Sequence, residues 1–233
     1  MLFNAADTAL VMFDLDGTLI DTVPDIAHAL DEAMLAMGFV APGLAAARSW
    51  VGNGSLVLIE RALTAALGCP PEPEVLKQTQ QHFFRCYENC CNQHSQLYPG
   101  VSDALACLAE QRISLACVTN KPARFTPKVL QGCGIAEYFS LLVSGDSLPQ
   151  RKPHPAQLEF AMAEFGVDAA SCLMVGDSRN DILAARAAAV PVLCVDYGYN
   201  HDEPIYADGR SADENPDHVV SDLMAFFAPF SAA

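Results

Sequence analysis

Short apolar runs alternate along the chain with alanine-rich or amphipathic stretches, and this alternation constrains the fold more than any other feature. The runs resemble buried strands and lie at residues 9–13, 115–118, 141–143, 173–175 and 192–195. The stretches between them have the composition of crossover helices, for example at residues 101–110, 156–165 and 181–189. Strands joined by such helices pair in parallel. The sequence therefore predicts an α/β fold with a doubly wound parallel sheet.

Residues 19–94 interrupt this alternation, because they contain no convincing strand run. Their pattern predicts three helices, at residues 23–37, 44–67 and 74–91. A capping residue and a proline typical of a helix start mark the entrance at Thr22, and a Tyr-Pro-Gly string at residues 98–100 marks the return. We therefore expect a helical insertion at residues 19–94 in a core formed by residues 1–18 and 95–233.

Two carboxylates follow the first predicted strand. Asp14 and Asp16 are separated by one residue, and Gly17 permits a sharp turn after them. Alternate residues of an extended chain point the same way, so the two side chains converge on one place. Their repulsion would be relieved by a polyvalent cation or a shared proton, and both suit an aspartyl nucleophile with a neighbouring general acid.

Polar side chains follow the other predicted strands. Thr119 and Asn120 follow the second, Asp177 and Asp181 follow the fourth, and Lys152 lies between them in the chain. Any one such residue is equally typical of a helix cap. Because ligands of open α/β sheets bind beyond the carboxyl ends of the strands, the segments together predict one crevice for phosphoryl transfer.

The charge balance limits the partners. The chain has 13 basic and 28 acidic residues, a net charge of −15, which argues against nucleic acid because phosphate backbones require basic side chains. A small phosphorylated substrate then needs a site made locally positive by a metal and a few basic residues. No apolar run reaches membrane-span length, and residues 1–4 lack a basic leader segment, so we expect a cytoplasmic protein without a membrane partner.

The cysteines favour reduced thiols over disulfides. There are nine, an odd number, and they are scattered without a Cys-x-x-Cys pair. His82, Cys86, Cys90 and His94 recur every four residues, and on one helix they would form a stripe of soft metal ligands. A straight helix presents only two neighbouring ligands to one ion, so we favour a half-buried helix face over a zinc site.

Four ordered segments, at residues 14–19, 118–120, 152–153 and 176–181, resemble the motifs of the haloacid dehalogenase superfamily. The resemblance covers nearly the whole chain and implies a Rossmann-like core, with residues 19–94 as the helical cap domain that this superfamily inserts after its first motif. Strings at residues 50–54, 119–122 and 197–200 are similar to those of superfamily phosphatases that act on 2-phosphoglycolate.

This resemblance implies a magnesium-dependent phosphatase that works through an aspartyl-phosphate. Asp14 would be the nucleophile, and Asp16 would protonate the leaving oxygen and then deprotonate the attacking water. Asp14, the main-chain oxygen of Asp16 and Asp177 would bind Mg²⁺. Asp181 would either position the metal ligands without binding the metal itself or cap the following helix, and both alternatives stay open.

The remaining roles concern the phosphate and the rest of the substrate. The resemblance implies that Thr119, Asn120 and Lys152 hold the phosphoryl oxygens. For the carboxylate of a short acid, the candidate cap residues are Arg48, Asn53, Ser55 and Arg61. Arg61 is in a predicted helix, where a solvated or ion-paired side chain is the commoner role. We expect Trp50 to pack within the cap and His28 to be structural.

Single residues of this chain favour or disfavour the other activities known in the superfamily. Dehalogenases and phosphonate-cleaving members lack the carboxylate that Asp16 supplies, so the resemblance favours phosphate esters. Hexose phosphomutase members carry a histidine where this chain has Ile26. A broad-specificity sugar-phosphate or pyrophosphate phosphatase remains the main alternative, and a non-catalytic binding protein with this fold is a remote one. No surface pattern decides between a monomer and a homodimer.

Overall fold

A six-stranded parallel sheet forms the centre of the computed structural model, which describes residues 7–228. Its strand order is β5-β4-β1-β6-β7-β8. The strands are β1 (Leu10–Phe13), β4 (Ser114–Val118), β5 (Leu141–Val143), β6 (Cys172–Gly176), β7 (Val192–Val195) and β8 (His218–Val220). The predicted fold class is confirmed. Residues 1–4, on which the expectation about a leader segment depends, lie outside the described residues.

Strand β1 occupies the middle of this sheet. Leu10 pairs with Ser114 of β4 on one side and with Cys172 of β6 on the other, both in parallel register. After β1 the chain adds β4 and β5 on one side and then crosses to add β6, β7 and β8 on the other. This change of direction opens a crevice at the carboxyl ends of the central strands, where Asp14 and Asp177 follow β1 and β6.

The two faces of β1 belong to two apolar clusters. Val11 and Phe13 lie in the larger one, which extends without interruption to Leu58 and Phe83 of the inserted helices. Leu10 and Met12 lie in the smaller one on the opposite face. Both faces are buried, which explains why the strand sequence is continuously apolar rather than alternating.

Helices cover the sheet. Those outside the insertion are α5 (Val101–Glu110), α6 (Thr126–Gly132), α7 (Ala156–Phe165), α8 (Arg179–Ala187) and α9 (Leu223–Phe227). The bounds of α5 and α7 are those that the sequence predicts, whereas α8 begins earlier than predicted because Ser178 caps it. Within residues 7–228 we find no helix with the length and apolar character needed to cross a membrane.

The insertion holds four helices, where the sequence predicts three. They are α1 (Val23–Ala36), α2 (Gly43–Trp50), α3 (Ser55–Leu67) and α4 (Pro73–Cys90). The prediction of one helix over residues 44–67 is wrong, because Gly52 and Gly54 have φ angles of 120° and 84° that an α-helix does not allow. The division of the chain into a core and a cap at residues 19–94 stays a prediction.

Two very short strands lie at the joints of the insertion. Strand β2 (Ile20–Asp21) pairs antiparallel with β3 (Gln96–Leu97). The expectation that residues 19–94 contain no strand is therefore wrong, since a strand of two residues is too short to show an apolar period. This ribbon holds the outgoing and returning chain segments side by side.

Candidate active site

Three buried carboxylates converge at the carboxyl ends of β1 and β6. Asp14, Asp177 and Asp181 each offer an oxygen, and these oxygens lie within 4.8 Å of one another. The buried ammonium of Lys152 lies 3.1 Å from Asp14 Oδ1 and 2.7 Å from Asp181 Oδ1. The same group donates a hydrogen bond to the main-chain oxygen of Val118 at 2.6 Å, which fixes the lysine at the end of β4.

The charges of this cluster do not cancel. The cluster holds three carboxyl groups and a single ammonium, that of Lys152, which contacts Asp14 and Asp181, so the ionised carboxylates leave an excess of negative charge. Burial raises the pKa of Asp14 to about 6, against the opposing effect of Lys152. Burial also raises the pKa of Asp177 well above its usual value, and Asp181 and Asp14 add to that shift. A divalent cation would compensate this excess, and an all-oxygen donor set fits Mg²⁺.

Asp177 is held by groups from two other parts of the chain. Its Oδ1 accepts a hydrogen bond from Thr18 Oγ1 at 2.9 Å, and its Oδ2 accepts one from the main-chain amide of Tyr199 at 2.6 Å. Gly17 lies so close that a Cβ atom there would be 2.3 Å from Asp177 Oδ2. Only glycine allows this approach, so the turn after Asp16 is shaped by the carboxylate across the crevice.

Asp181 combines two roles. Its Oδ2 accepts hydrogen bonds from the amide and hydroxyl of Ser178, at 3.0 and 2.7 Å. The first of these, together with the bond that the Ser178 side chain accepts from the Asp181 amide, forms a capping box at the start of α8. Its Oδ1 contacts Lys152 in the cluster. The helix cap that sequence reasoning left open is therefore observed, and the same side chain lies beside the candidate metal ligands.

Asp16 is surrounded by groups to which the sequence analysis gave no role at this site. The Lys121 ammonium lies 2.9 Å from its Oδ1, and Thr22 Oγ1 donates to that oxygen at 2.6 Å. Thr22 is the N-cap residue of α1, as predicted, but its side chain makes no capping hydrogen bond and contacts Asp16 instead. The only sequence signal for Lys121 was its position directly after Asn120.

Thr119 and Asn120 lie at the end of β4 beside the same crevice. Both are buried, and both line the cavity next to Asp14. Asn120 Nδ2 donates to the main-chain oxygens of Gly52 and Lys152, at 3.0 and 2.9 Å. One side chain thus connects the loop between α2 and α3 with the segment that carries the lysine.

A small cavity lies between the carboxylates and the inserted helices. Its volume is about 50 Å³, and Asp14 and Asp16 form part of its lining. The opposite wall is largely apolar and is supplied by Ile26, Val51, Leu58, Phe83, Tyr87 and Phe125. Ser55 also contributes to the lining. The side of the cavity formed by Asp14 and Asp16, which we call the floor, is charged, and the opposite side, which we call the roof, is mostly hydrocarbon.

The arginines predicted for substrate recognition contact protein groups. Arg48 Nη2 donates to the main-chain oxygen of Tyr197 at 3.3 Å, and its guanidinium lies 4.8 Å from the Tyr199 ring centroid. Arg61 donates to Trp50 O at 2.8 Å and to Asn53 Oδ1 at 3.1 Å. None of these side chains lines the small cavity in the described part of the chain. The substrate-binding roles of Arg48 and Asn53 stay predictions.

The histidine and cysteine stripe is divided between two elements. Helix α4 ends at Cys90, so His94 lies beyond it and faces Asp25 Oδ1 at 3.0 Å. The four residues therefore do not share one helix face. Across residues 7–228, the aspartate cluster is the one group with metal-ligand spacing. Trp50 packs against the larger apolar cluster, as expected, whereas His28 is exposed on α1 and its structural role stays a prediction.

Comparisons with known proteins agree on one family. The family model described as haloacid dehalogenase-like hydrolase matches residues 11–195. A phosphoglycolate phosphatase of Vibrio cholerae is 45% identical over 216 residues, covering 92% of this chain and 93% of that protein. A phosphoglycolate phosphatase of Pseudomonas fluorescens strain Pf0-1 is 43% identical, covering 95% and 79%. The crystal structure of a predicted phosphoglycolate phosphatase from Haemophilus somnus superposes with a TM-score of 0.88 at 34% identity, covering 96% and 98%.

Proposed function

The chain belongs to the haloacid dehalogenase-like hydrolase family, and we propose that it hydrolyses 2-phosphoglycolate to glycolate and phosphate with Mg²⁺ as cofactor. The observation that carries this proposal is the cluster of Asp14, Asp177 and Asp181, in which the Lys152 ammonium contacts Asp14 and Asp181 and Asp14 lines a small cavity. Relatives of at least 43% identity that bear the name phosphoglycolate phosphatase support the choice of substrate.

Asp14 is the proposed nucleophile. Its carboxylate oxygen attacks phosphorus, the bond from phosphorus to the glycolate oxygen breaks, and an aspartyl-phosphate forms. Asp16 donates a proton to the leaving oxygen and later takes one from the water that attacks this intermediate, which releases phosphate and restores the Asp14 carboxylate. The contacts from Lys121 and Thr22 to Asp16 hold the acid in one orientation for both steps.

Lys152 and Thr119 are the proposed phosphate ligands. The Lys152 ammonium lies within contact distance of Asp14, so it draws a phosphoryl oxygen toward the nucleophile. Thr119 offers a buried hydroxyl at the end of β4, and Asn120 holds the neighbouring loop against this edge. Phosphoryl transfer depends mainly on positioning and electrostatics, so this small set is chemically sufficient.

The metal site follows from the uncompensated charge. Asp14, Asp177 and the main-chain oxygen of Asp16 would hold Mg²⁺, with Asp181 beside them. When bound, the ion supplies positive charge that keeps Asp14 ionised and neutralises charge on the phosphoryl oxygens. Thr18 and the Tyr199 amide hold the Asp177 carboxylate in place for this role.

The size of the cavity favours a short leaving group. A volume of about 50 Å³ holds roughly three to five water molecules. Such a space suits a short leaving group such as glycolate better than it suits a hexose. A broad-specificity sugar-phosphate phosphatase is the alternative that the first experiment tests.

Steady-state kinetics on a panel of phosphate esters, with and without Mg²⁺, test the proposal. The panel includes 2-phosphoglycolate, ethyl phosphate, glucose 6-phosphate and pyrophosphate. We expect the highest kcat/KM for 2-phosphoglycolate and no turnover without a divalent ion. An equal preference across the panel would reject the proposed substrate.

A nucleophile variant tests the chemistry separately. Asp14→Asn should lower kcat by about 10³-fold or more while the far-UV circular dichroism stays unchanged. Near-native activity in a folded Asp14→Asn protein would reject the aspartyl-phosphate mechanism. Glu164→Gln, at an exposed position of α7, is the matched charge-removing control and should retain full activity.

A further inference from the structure

One polar atom on the roof of the cavity lacks a hydrogen-bond partner among the described residues. The side chain of Tyr87 on α4 is 1% exposed and lines the cavity. Its hydroxyl is buried and makes no hydrogen bond of 3.5 Å or less in the described part of the chain, and the Lys121 ammonium is close enough to interact with it electrostatically. A buried hydroxyl without a partner costs stability. An acceptor that enters the cavity would satisfy it.

The Tyr87 ring is held firmly, so its hydroxyl has a defined place. It stacks on Phe83 at 5.6 Å between centroids and meets Phe125 edge to face at 4.9 Å. Burial raises the pKa of this hydroxyl far above its usual range, although the nearby Lys121 ammonium opposes the shift. The group therefore keeps its proton and serves as a donor.

A second donor lies beside it. The Lys121 ammonium is 4.8 Å from the Tyr87 ring centroid and lines the same cavity. It contacts both Asp16 oxygens, at 2.9 and 3.3 Å. Burial lowers the pKa of Lys121, but Asp16 and Tyr87 together outweigh that effect and raise the pKa, so the group stays cationic. An ammonium has three hydrogens to donate, so it can also bind a further acceptor.

The location of this pair suits one part of the substrate. Asp16 is the proposed acid for the leaving oxygen, and in a phosphorylated 2-hydroxy acid the carboxylate carbon is two bonds from that oxygen. The group that recognises the carboxylate must therefore lie close to Asp16. Lys121 meets this condition, whereas Arg48 and Arg61 contact protein groups away from the cavity lining.

We propose that Tyr87 Oη and Lys121 Nζ together form the subsite that binds the carboxylate of the leaving group, with Tyr87 as a specificity-determining residue. This inference rests on the proposed function and adds the residues that distinguish a phosphorylated acid from other small esters. Tyr87 donates a neutral hydrogen bond and Lys121 supplies the charge. Apart from Ser55, the other side chains of the roof are apolar and cannot pair with a carboxylate.

Tyr87→Phe tests the subsite, because it removes the hydroxyl and retains the ring contacts with Phe83, Phe125 and Lys121. Tyr98→Phe is the matched control, since the Tyr98 hydroxyl is also buried without a hydrogen-bond partner among the residues that the structure describes, and Tyr98 does not line the cavity. For each protein we would measure kcat/KM on 2-phosphoglycolate and on ethyl phosphate, which has no carboxylate. Circular dichroism and thermal melting verify the fold.

The expected result is a selective loss. Tyr87→Phe should lower kcat/KM for 2-phosphoglycolate by about 10- to 100-fold, the worth of a hydrogen bond to a charged group. Its kcat/KM for ethyl phosphate and both values for Tyr98→Phe should change by less than about threefold. An unchanged ratio between the two substrates in Tyr87→Phe would overturn the subsite.

A measurement on the unaltered enzyme keeps the inference independent of that variant. Glycolate should inhibit ethyl phosphate hydrolysis competitively, and ethylene glycol, which lacks the carboxylate, should not. Equal inhibition by both would also overturn the subsite. Failure of the proposed function is recognised differently, because the unaltered enzyme would then show no preference for 2-phosphoglycolate in the ester panel.

Discussion

The carboxylate of Asp25 and the main-chain amide of Ser95 are hydrogen-bonded at 2.9 Å, which joins the start of α1 to the chain segment that leaves the inserted helices. The same carboxylate accepts hydrogen bonds from the amides of Asn92 and His94, both at 2.9 Å. Burial by itself would raise the pKa of Asp25, but the hydrogen bonds from Ser95 and His94 outweigh it and lower the pKa. One side chain therefore ties together the two crossings between the sheet and the insertion.

Asp25→Asn should destabilise the protein in a pH-dependent way. The amide replaces one acceptor oxygen by a donor that faces main-chain amides, so we expect a loss of about 1–3 kcal/mol at pH 7. Because folding lowers the pKa of Asp25, its contribution is complete above the usual aspartate pKa and disappears as the pH falls through the lower folded value. Urea unfolding of both proteins at pH 7 and pH 3 measures this difference. Equal stability at pH 7 would contradict the prediction.

Thr22→Val should impair catalysis more than folding. The substitution keeps the shape of a buried side chain and removes the hydrogen bond to Asp16, so we expect kcat to fall about tenfold because the acid loses its fixed orientation. Thr79→Val is the control, since the Thr79 hydroxyl is equally buried but donates within α4 to Val75 O. A kcat for Thr22→Val equal to that of the control would refute the positioning role.

Gly17→Ala should disrupt the metal site. Gly17 has a φ of +87°, and a Cβ atom there would lie 2.3 Å from Asp177 Oδ2. We expect loss of activity at all Mg²⁺ concentrations and a destabilisation of about 1–3 kcal/mol. Gly38→Ala separates the two causes, because Gly38 has a φ of +80° with nothing within 4 Å. Gly38→Ala should have a lower melting temperature because of the same backbone strain, but it should retain its activity.

Removal of divalent ions should abolish turnover and lower the melting temperature. Chelation with EDTA restores the repulsion among Asp14, Asp177 and Asp181, and Mg²⁺ at 100 times its Kd should stabilise the protein by about 2.7 kcal/mol. Since the pKa of Asp14 is about 6 without the ion, protons compete with Mg²⁺ as the pH falls, so affinity should be weaker at pH 5.5 than at pH 7.5. Titration calorimetry at both values checks the sign. Asp177→Asn should remove the Mg²⁺-dependent stabilisation.

The sheet and several helices were predictable because their signals are local. The strands at residues 141–143 and 192–195 and the helices at 101–110 and 156–165 have the predicted bounds, since an apolar run or a helical period is a property of neighbouring residues. Strands β2 and β3 were missed because each is only two residues long, and β8 was missed because it begins with the exposed His218 and so lacks a continuous buried run. The sequence also predicted that Asp14 lies at the carboxyl edge of the sheet, because Asp14 directly follows β1 and parallel strands all end at that edge.

What the sequence by itself determined is thus the order of strands and helices and the set of polar groups at their carboxyl ends. The tertiary structure alone decided which of these groups meet: Lys121 contacts Asp16 across 105 residues of chain, and Thr22 turns from its helix toward the same carboxylate. The local sequence around a threonine that precedes a helix is the same whether its side chain caps that helix or donates a hydrogen bond to a distant carboxylate. The choice depends on the free energy of contacts between distant segments, and only the packed chain contains them.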